Sequence, residues 1–198
     1  MRYLPLFADL KGRTCLLVGE GNMIEEKSEI LERSGAVIRK RAHFSEDDAA
    51  DIFLIVADVE DDVASQIREF GEKSKVFVNI VDKPRYCSFI IPAIAQQSDL
   101  LIAISTAGKS PALASWIRER FQREFGPEYG DLLDVLGDTR ERVKQVLPSY
   151  GTRKAFYREL LEGGILRTAQ LGGKEGVRIE IDRHLKEIRK KPLLQKTT

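Results

Sequence analysis

Gly19-Glu20-Gly21 stands directly after the apolar run Cys15-Leu16-Leu17-Val18 and before a lysine- and glutamate-rich stretch opening at Asn22. Glycines in that place let a turn close tightly and let a pyrophosphate approach the backbone. A helix starting there would offer unpaired N–H groups to the anion. An ordinary tight turn between strand and helix would use the same residues. Asp82 ends the apolar run of Val78-Asn79-Ile80-Val81, which puts a carboxylate at the carboxyl edge of a strand. There it could serve as a general base or could simply cap the turn before Pro84. Ser105-Thr106-Ala107-Gly108-Lys109-Ser110 joins an apolar strand to Pro111. Such a loop presents hydroxyls, N–H groups and the Lys109 charge to an anionic ligand, and Ser110 with Pro111 also suits a helix start.

The elements needed to hold these groups alternate. Thr14–Val18 reads as the first strand, followed by a helix that stops at Ser34-Gly35. Residues 36–42 form the second strand, and Ser45 caps the acidic stretch 46–51. Residues 52–57 are continuously apolar, as in a strand buried on both faces; a helix over 61–72 and strands over 76–81 and 100–105 follow. Strands alternating with helices imply parallel pairing through right-handed crossovers. The interval between the second and third strands is too short for a helix and a strand, so the sheet is trimmed by a strand. Leu4, Pro5, Leu6 and Phe7 are expected to cover it.

From Ser110-Pro111 the pattern turns helical, with Leu113, Trp116, Ile117 and Phe121 on one face. Gly126-Pro127 and 148–151 break the helices, and further helices run over 132–147, 153–161, 165–171 and 176–190, with a fraying tail beyond. The expected class is α/β: a Rossmann-like parallel sheet over 1–110, followed by helical segments over 111–149 and 150–198, the first too apolar for an isolated arm and so expected to build a homodimer.

The composition sets bounds. In 198 residues 42% are apolar and 32% charged, with a net charge of +1, so nothing global points to nucleic acid or an acidic membrane. Acidic residues cluster between Glu46 and Asp62, basic ones from Arg140 onward. Cys15 and Cys87 alone make no metal site, and Cys15 in its apolar run is a small buried hydrophobe. No targeting signal and no apolar run of membrane-spanning length is read, so the expected compartment is the cytoplasm.

The stretches LPLFADLKGRTCLLVGEG, VNIVDKPRYCSFIIPAI and LIAISTAGKSPALASWIRE together resemble the precorrin-2 dehydrogenase domain, the N-terminal part of multifunctional siroheme synthase, over about residues 3 to 160. The resemblance implies NAD-dependent oxidation of precorrin-2 to sirohydrochlorin, with ferrous iron insertion in some members, by a homodimer. It puts Asp82 on the catalytic aspartate and Gly19 and Gly21 on the phosphate turn. Asn22 and Met23 fall on residues touching the dinucleotide beyond that turn, and His43 and Phe44 near the adenosine ribose. Ser105 and Thr106 fall on a polar pair facing the tetrapyrrole. His43 could equally be a solvated residue at a strand end. Cations for a polycarboxylate substrate could come from Lys83, Arg85, Lys109, Arg118, Arg120 or the Arg153-Lys154 pair, or these could form solvated faces.

The departures from the family pattern fall on the dinucleotide half. Ile24 stands where the glycine motif usually closes with a small residue. Ala57-Asp58-Val59-Glu60 replaces Ala-Thr-Asp-Asp, and Ala64 lies near the place of an Asn. A carboxylate at Asp58 would repel a pyrophosphate. Three readings follow, the first favoured: an active NAD-dependent dehydrogenase with a trimmed cofactor site; a tetrapyrrole-binding relative that has lost oxidation and only inserts metal into sirohydrochlorin; and a non-catalytic binding or scaffold protein on the same fold.

Overall fold

The computed structural model describes residues 3–49 and 51–190; the tail expected to fray lies outside them. By contacts the chain divides into two compact units, Met1–Pro92 with Ala107–Lys109, and Ala93–Thr106 with Ser110–Thr198.

The first unit is a parallel sheet with helices. Strand β1 is Thr14–Val18, β2 Val37–Arg41, β3 Leu54–Ala57 and β4 Phe77–Ile80, paired in the order β2-β1-β3-β4. Helix α1 spans Asn22–Arg33 and α2 Asp61–Ser74, with a 3-10 turn, Glu46–Ala49, between β2 and β3. Among the described residues, that turn is the one element the short interval holds. β1 and β3 are buried along almost their whole length, which is why they read as unbroken apolar runs. Their side chains alternate between two cores. Leu16, Val18, Ile55, Ala57, Val78 and Ile80 meet Ala64 and Ile67 of α2, whereas Cys15, Leu17, Leu54 and Val56 meet Ile24 and Leu31 of α1. Burial pushes the Cys15 thiol up to about 11. Ile24 lies in this second core, directed beneath the helix and not into the turn.

In the second unit the expectation for 100–105 fails. Those residues do not extend the parallel sheet: β6, Leu100–Ile104, pairs antiparallel with β5, Ala93–Gln97. Two residues, Ser98-Asp99, join them, and Ser98 takes the positive φ of 51° that so tight a hairpin demands. Leu4, Leu6 and Phe7 also depart from expectation. They are exposed, and Leu10 is the residue of that lead-in that reaches the core.

Helix α3 spans Pro111–Glu124, α4 Pro127–Val146, α5 Tyr150–Glu162 and α6 Ile165–Lys190. α6 is kinked at Gly173, whose φ of 55° and ψ of −155° separate the two helices expected over 165–171 and 176–190. α4 and α6 lie side by side over Leu132, Val135, Val143, Val177, Ile181 and Leu185. Their rims are pinned by ion pairs with constant offset: Asp134 with Lys174, Asp138 with Arg178 and Arg142 with Asp182. The constant offset means that the helices run in the same direction. Among the described residues no helix is long and apolar enough to cross a membrane.

Candidate active site

β1 sends the chain to β2 on one side and neighbours β3 on the other, so the strand order reverses at the carboxyl ends of β1 and β3. In open α/β sheets such a point is a crevice where ligands bind. Gly19 and Asp58 stand at its two sides, and the Asp58 N–H donates to Val18 C=O at 2.9 Å while the Gly19 N–H donates to Arg41 C=O at 2.9 Å. A Cβ on Gly19, at φ 106°, would come closer to the Asp58 carbonyl oxygen than the 3.0 Å such atoms keep. Close packing of two backbones explains this glycine.

Gly21 differs. It is the N-cap of α1 at φ 104° and ψ 175°, and a Cβ there would meet nothing within 4 Å. No side chain caps the helix. The Ile24 and Glu25 amides turn back to Gly21 C=O at 3.1 and 3.2 Å, leaving the amides of Asn22 and Met23 at the mouth of the turn. Asn22 and Met23 are exposed, and space is open above Gly21. Two unpaired amides at such a helix end can donate to an anion.

Among the described residues, the unpaired charges at this edge are acidic and the cations beside it are paired. Glu20 and Asp58 are both exposed, Glu25 in the first helical turn pairs with Lys40 at 2.6 Å, and Arg41 pairs with Asp48 at 2.8 Å. His43 is exposed just past β2. Phe44 is half-buried, its ring edge-on to Phe70 at 5.7 Å, so it forms part of the wall under α2.

Asp82 comes one residue after Val81, whose N–H donates to Ala57 C=O at 2.8 Å, on the same carboxyl edge as Gly19 and Asp58. It is exposed and holds a left-handed φ of 55°. The residues beyond it fold back along the free edge of β4. Ser88 Oγ accepts the Val78 N–H at 2.8 Å, the Ser88 N–H donates to Val78 C=O at 2.8 Å, and Asn79 Nδ2 donates to Phe89 C=O at 3.0 Å.

Several proposed cations have other duties. Lys83 Nζ donates to Val59 C=O at 2.8 Å and pairs with Asp61 at 3.0 Å, and Arg85 pairs with Asp61 as well. The hydrogen bond from Lys83, with Arg85 beside it, holds the Asp61 carboxyl below the usual range and raises Lys83 in turn. Arg118 meets Ser115 and Glu119, Arg120 lies over the Trp116 ring at 5.8 Å, and Arg153 bonds the Leu147 and Pro148 carbonyls that end α4. The Asp61 partnership spans 24 positions on the arginine side, and no local pattern announces it.

In the second unit Ser105 is exposed. Thr106 Oγ1 donates to Ser110 C=O at 3.0 Å and accepts the Ser110 N–H at 3.2 Å, while Ser110 Oγ accepts the Leu113 N–H at 3.2 Å. The loop thus closes on itself around Ala107 and Gly108, both at positive φ, and leaves Lys109 exposed. The Thr106 hydroxyl shapes the loop and caps no ligand by default. Gly19, Gly21, Asn22, Met23 and Asp82 therefore share one edge of the first unit, and Ser105 and Thr106 belong to the second.

Three family models match successive stretches: "Putative NAD(P)-binding" over residues 37–93, "Sirohaem biosynthesis protein central" over 97–124 and "Sirohaem synthase dimerisation region" over 128–185. The siroheme synthase of Photorhabdus laumondii is 35% identical over 82% of this chain and 39% of its own length. That of Baumannia cicadellinicola is 32% identical over 93% of this chain and 45% of its own, and siroheme synthase 2 of Yersinia enterocolitica 31% identical over 98% and 45%. The chain spans less than half the length of these relatives. The solved structure of SirC, precorrin-2 dehydrogenase, superposes with a TM-score of 0.68 over 93% of this chain and all of that one, at 20% identity. It shares the fold.

Proposed function

The chain is a homologue of the siroheme synthases over less than half of their length, and from that premise we propose that it is an NAD-dependent precorrin-2 dehydrogenase forming sirohydrochlorin. One observation carries the reading: an open, uncapped glycine turn at the sheet's switch point stands on the same edge as an exposed carboxylate held in a strained turn.

The residues present fit the dinucleotide, since the space over Gly21 is open and two amides face it. The Asn22 and Met23 amides would hold the pyrophosphate, with His43 and the Phe44 wall toward the adenosine. NAD held there would supply the acceptor for the hydride lost in the oxidation. Asp82 takes the accompanying proton, and its exposed carboxylate has no partner to displace among the described residues. Ser105 and Lys109 are exposed for a substrate's carboxylates, in a loop that Thr106 holds in shape. Leu101, Leu113 and Trp116, each more than 40% exposed on the second unit, support a homodimer built there. A cytoplasmic location accords with this chemistry.

The test is to incubate the purified chain with precorrin-2, with and without NAD, and follow sirohydrochlorin by its absorbance. Oxidation should need NAD, and Asp82→Asn should lower kcat by about 10²-fold or more. Turnover independent of NAD, or an Asp82→Asn variant at full rate, overturns the proposal.

A further inference from the structure

The Asp82 turn is held from inside by one sulfur. Ile80 to Lys83 form a tight turn closed by the Lys83 N–H donating to Ile80 C=O at 3.2 Å, with Asp82 in its third place at φ 55°. That place suits glycine or asparagine, and an aspartate held there carries strain. Cys87 Sγ accepts the Ile80 N–H at 3.2 Å and has two acceptors for its own proton, Ile80 C=O at 3.3 Å and Lys83 C=O at 3.5 Å. A single side chain thus ties the first and last residues of the turn.

Cys87 is itself well placed. The Tyr86 N–H donates to Lys83 C=O at 3.0 Å and the Cys87 N–H to Pro84 C=O at 3.4 Å, so a second turn delivers the thiol under the first. Ser88 then locks the segment onto β4 through Val78. The thiol is half-buried against the core on the α2 face, where an unpaired Ile80 N–H would be costly.

We propose that Cys87 is a positioning residue for Asp82: by tying Ile80 to Lys83 it fixes the left-handed turn and so the direction of the carboxylate. This rests on Asp82 being the base. The experiment compares Cys87→Ala and Cys87→Ser in the full chain with NAD and precorrin-2, alongside amide hydrogen exchange. Cys87→Ala should lower kcat by about tenfold with both KM values within about twofold, because aim and not binding is lost. Exchange at the Lys83 amide should quicken by about tenfold while exchange at Val56 stays unchanged. Cys87→Ser, which keeps a donor and an acceptor, should recover most of both. If Cys87→Ala does not fold, Cys87→Val, which fills the volume without the hydrogen bonds, replaces it with the same expectations. Unchanged Lys83 exchange overturns the proposal, as does quickened exchange at full kcat or a serine variant no better than alanine. Full activity in Asp82→Asn is a separate failure, that of the base assignment, read on a different variant.

Discussion

Gly19 and Gly21 occupy one motif, yet the structure gives them different work, and alanine at each separates the two. Both hold φ near 105°, so either substitution carries strain of about 1–3 kcal/mol. At Gly19 the new methyl also drives into the Asp58 carbonyl, with the Asp58 carbon at 3.3 Å and nitrogen at 3.5 Å behind it. That peptide cannot retreat without loosening the Asp58–Val18 hydrogen bond between the two central strands. Relieving the clash costs about 2 kcal/mol more, which for a chain of this size lowers Tm by about 6 °C beyond the alanine at Gly21.

At Gly21 the methyl enters empty space, the space over the Asn22 and Met23 amides. Losing one charge-assisted hydrogen bond from an amide to phosphate is worth about 1.5–3 kcal/mol, about 10- to 100-fold in the Kd for NAD. Thermal unfolding and calorimetric titration with NAD together read both effects. Gly21→Ala should stay folded and bind NAD weakly; Gly19→Ala should unfold first. Wild-type NAD affinity in Gly21→Ala would refute the cradle, and equal melting of the two variants would refute the close packing of Gly19 on Asp58.

Asp58→Asn removes a carboxylate from the pyrophosphate side of the crevice, so NAD should bind about fivefold more tightly at low salt, with the gain shrinking as salt rises; calorimetry at two ionic strengths checks this. Asp61, held below its ordinary range by Lys83 and Arg85, contributes stability above its unfolded value of about 3.9 that is lost as pH falls through the lower folded value. Lys83 is raised by the same partner, so its share is present below about 10.4 and is lost as pH rises through its folded value. Asp61→Asn should therefore flatten the urea-midpoint profile below about pH 4 and above about pH 10. In the α4–α6 rim, Arg142→Asp alone should cost about 1 kcal/mol in urea unfolding, and adding Asp182→Arg should restore all but about 0.5 kcal/mol. A double variant no more stable than the single one would show that the pair does not contribute to the helix register.

What could be read beforehand follows from the range of each cause. β1 was legible to the residue because five apolar or β-branched positions end at a glycine. The helix breaks at 126–127, 148–151 and Gly173 were legible because proline and glycine act locally. The antiparallel hairpin was not, since Ser98-Asp99 lacks the glycine that marks such turns and Leu100–Ile104 is as apolar as a buried parallel strand. Nor was the loss of Lys83 and Arg85 to Asp61, because a cation's partner is chosen by the fold and leaves no periodic trace. The departures at Ile24 and Asp58 divide in the same way. Ile24 is absorbed by the core beneath α1, whereas Asp58 stays exposed in the crevice, and only the second bears on an anion.

The spacing within Asn79-x-x-Asp82-x-Pro84-x-x-Cys87-Ser88 has a geometric basis as well as a chemical one. β4 is the last strand of its sheet, and an edge strand whose N–H groups are half-buried needs acceptors from elsewhere. The chain leaves β4 at Ile80, makes one turn that carries Asp82 and a second that begins at Pro84, and returns so that Cys87 meets Ile80 and Ser88 meets Val78. One extra residue between Pro84 and Cys87 would move the thiol out of the first turn and the hydroxyl off the edge together. The block is short because aiming the carboxylate and closing the sheet are done by the same few residues.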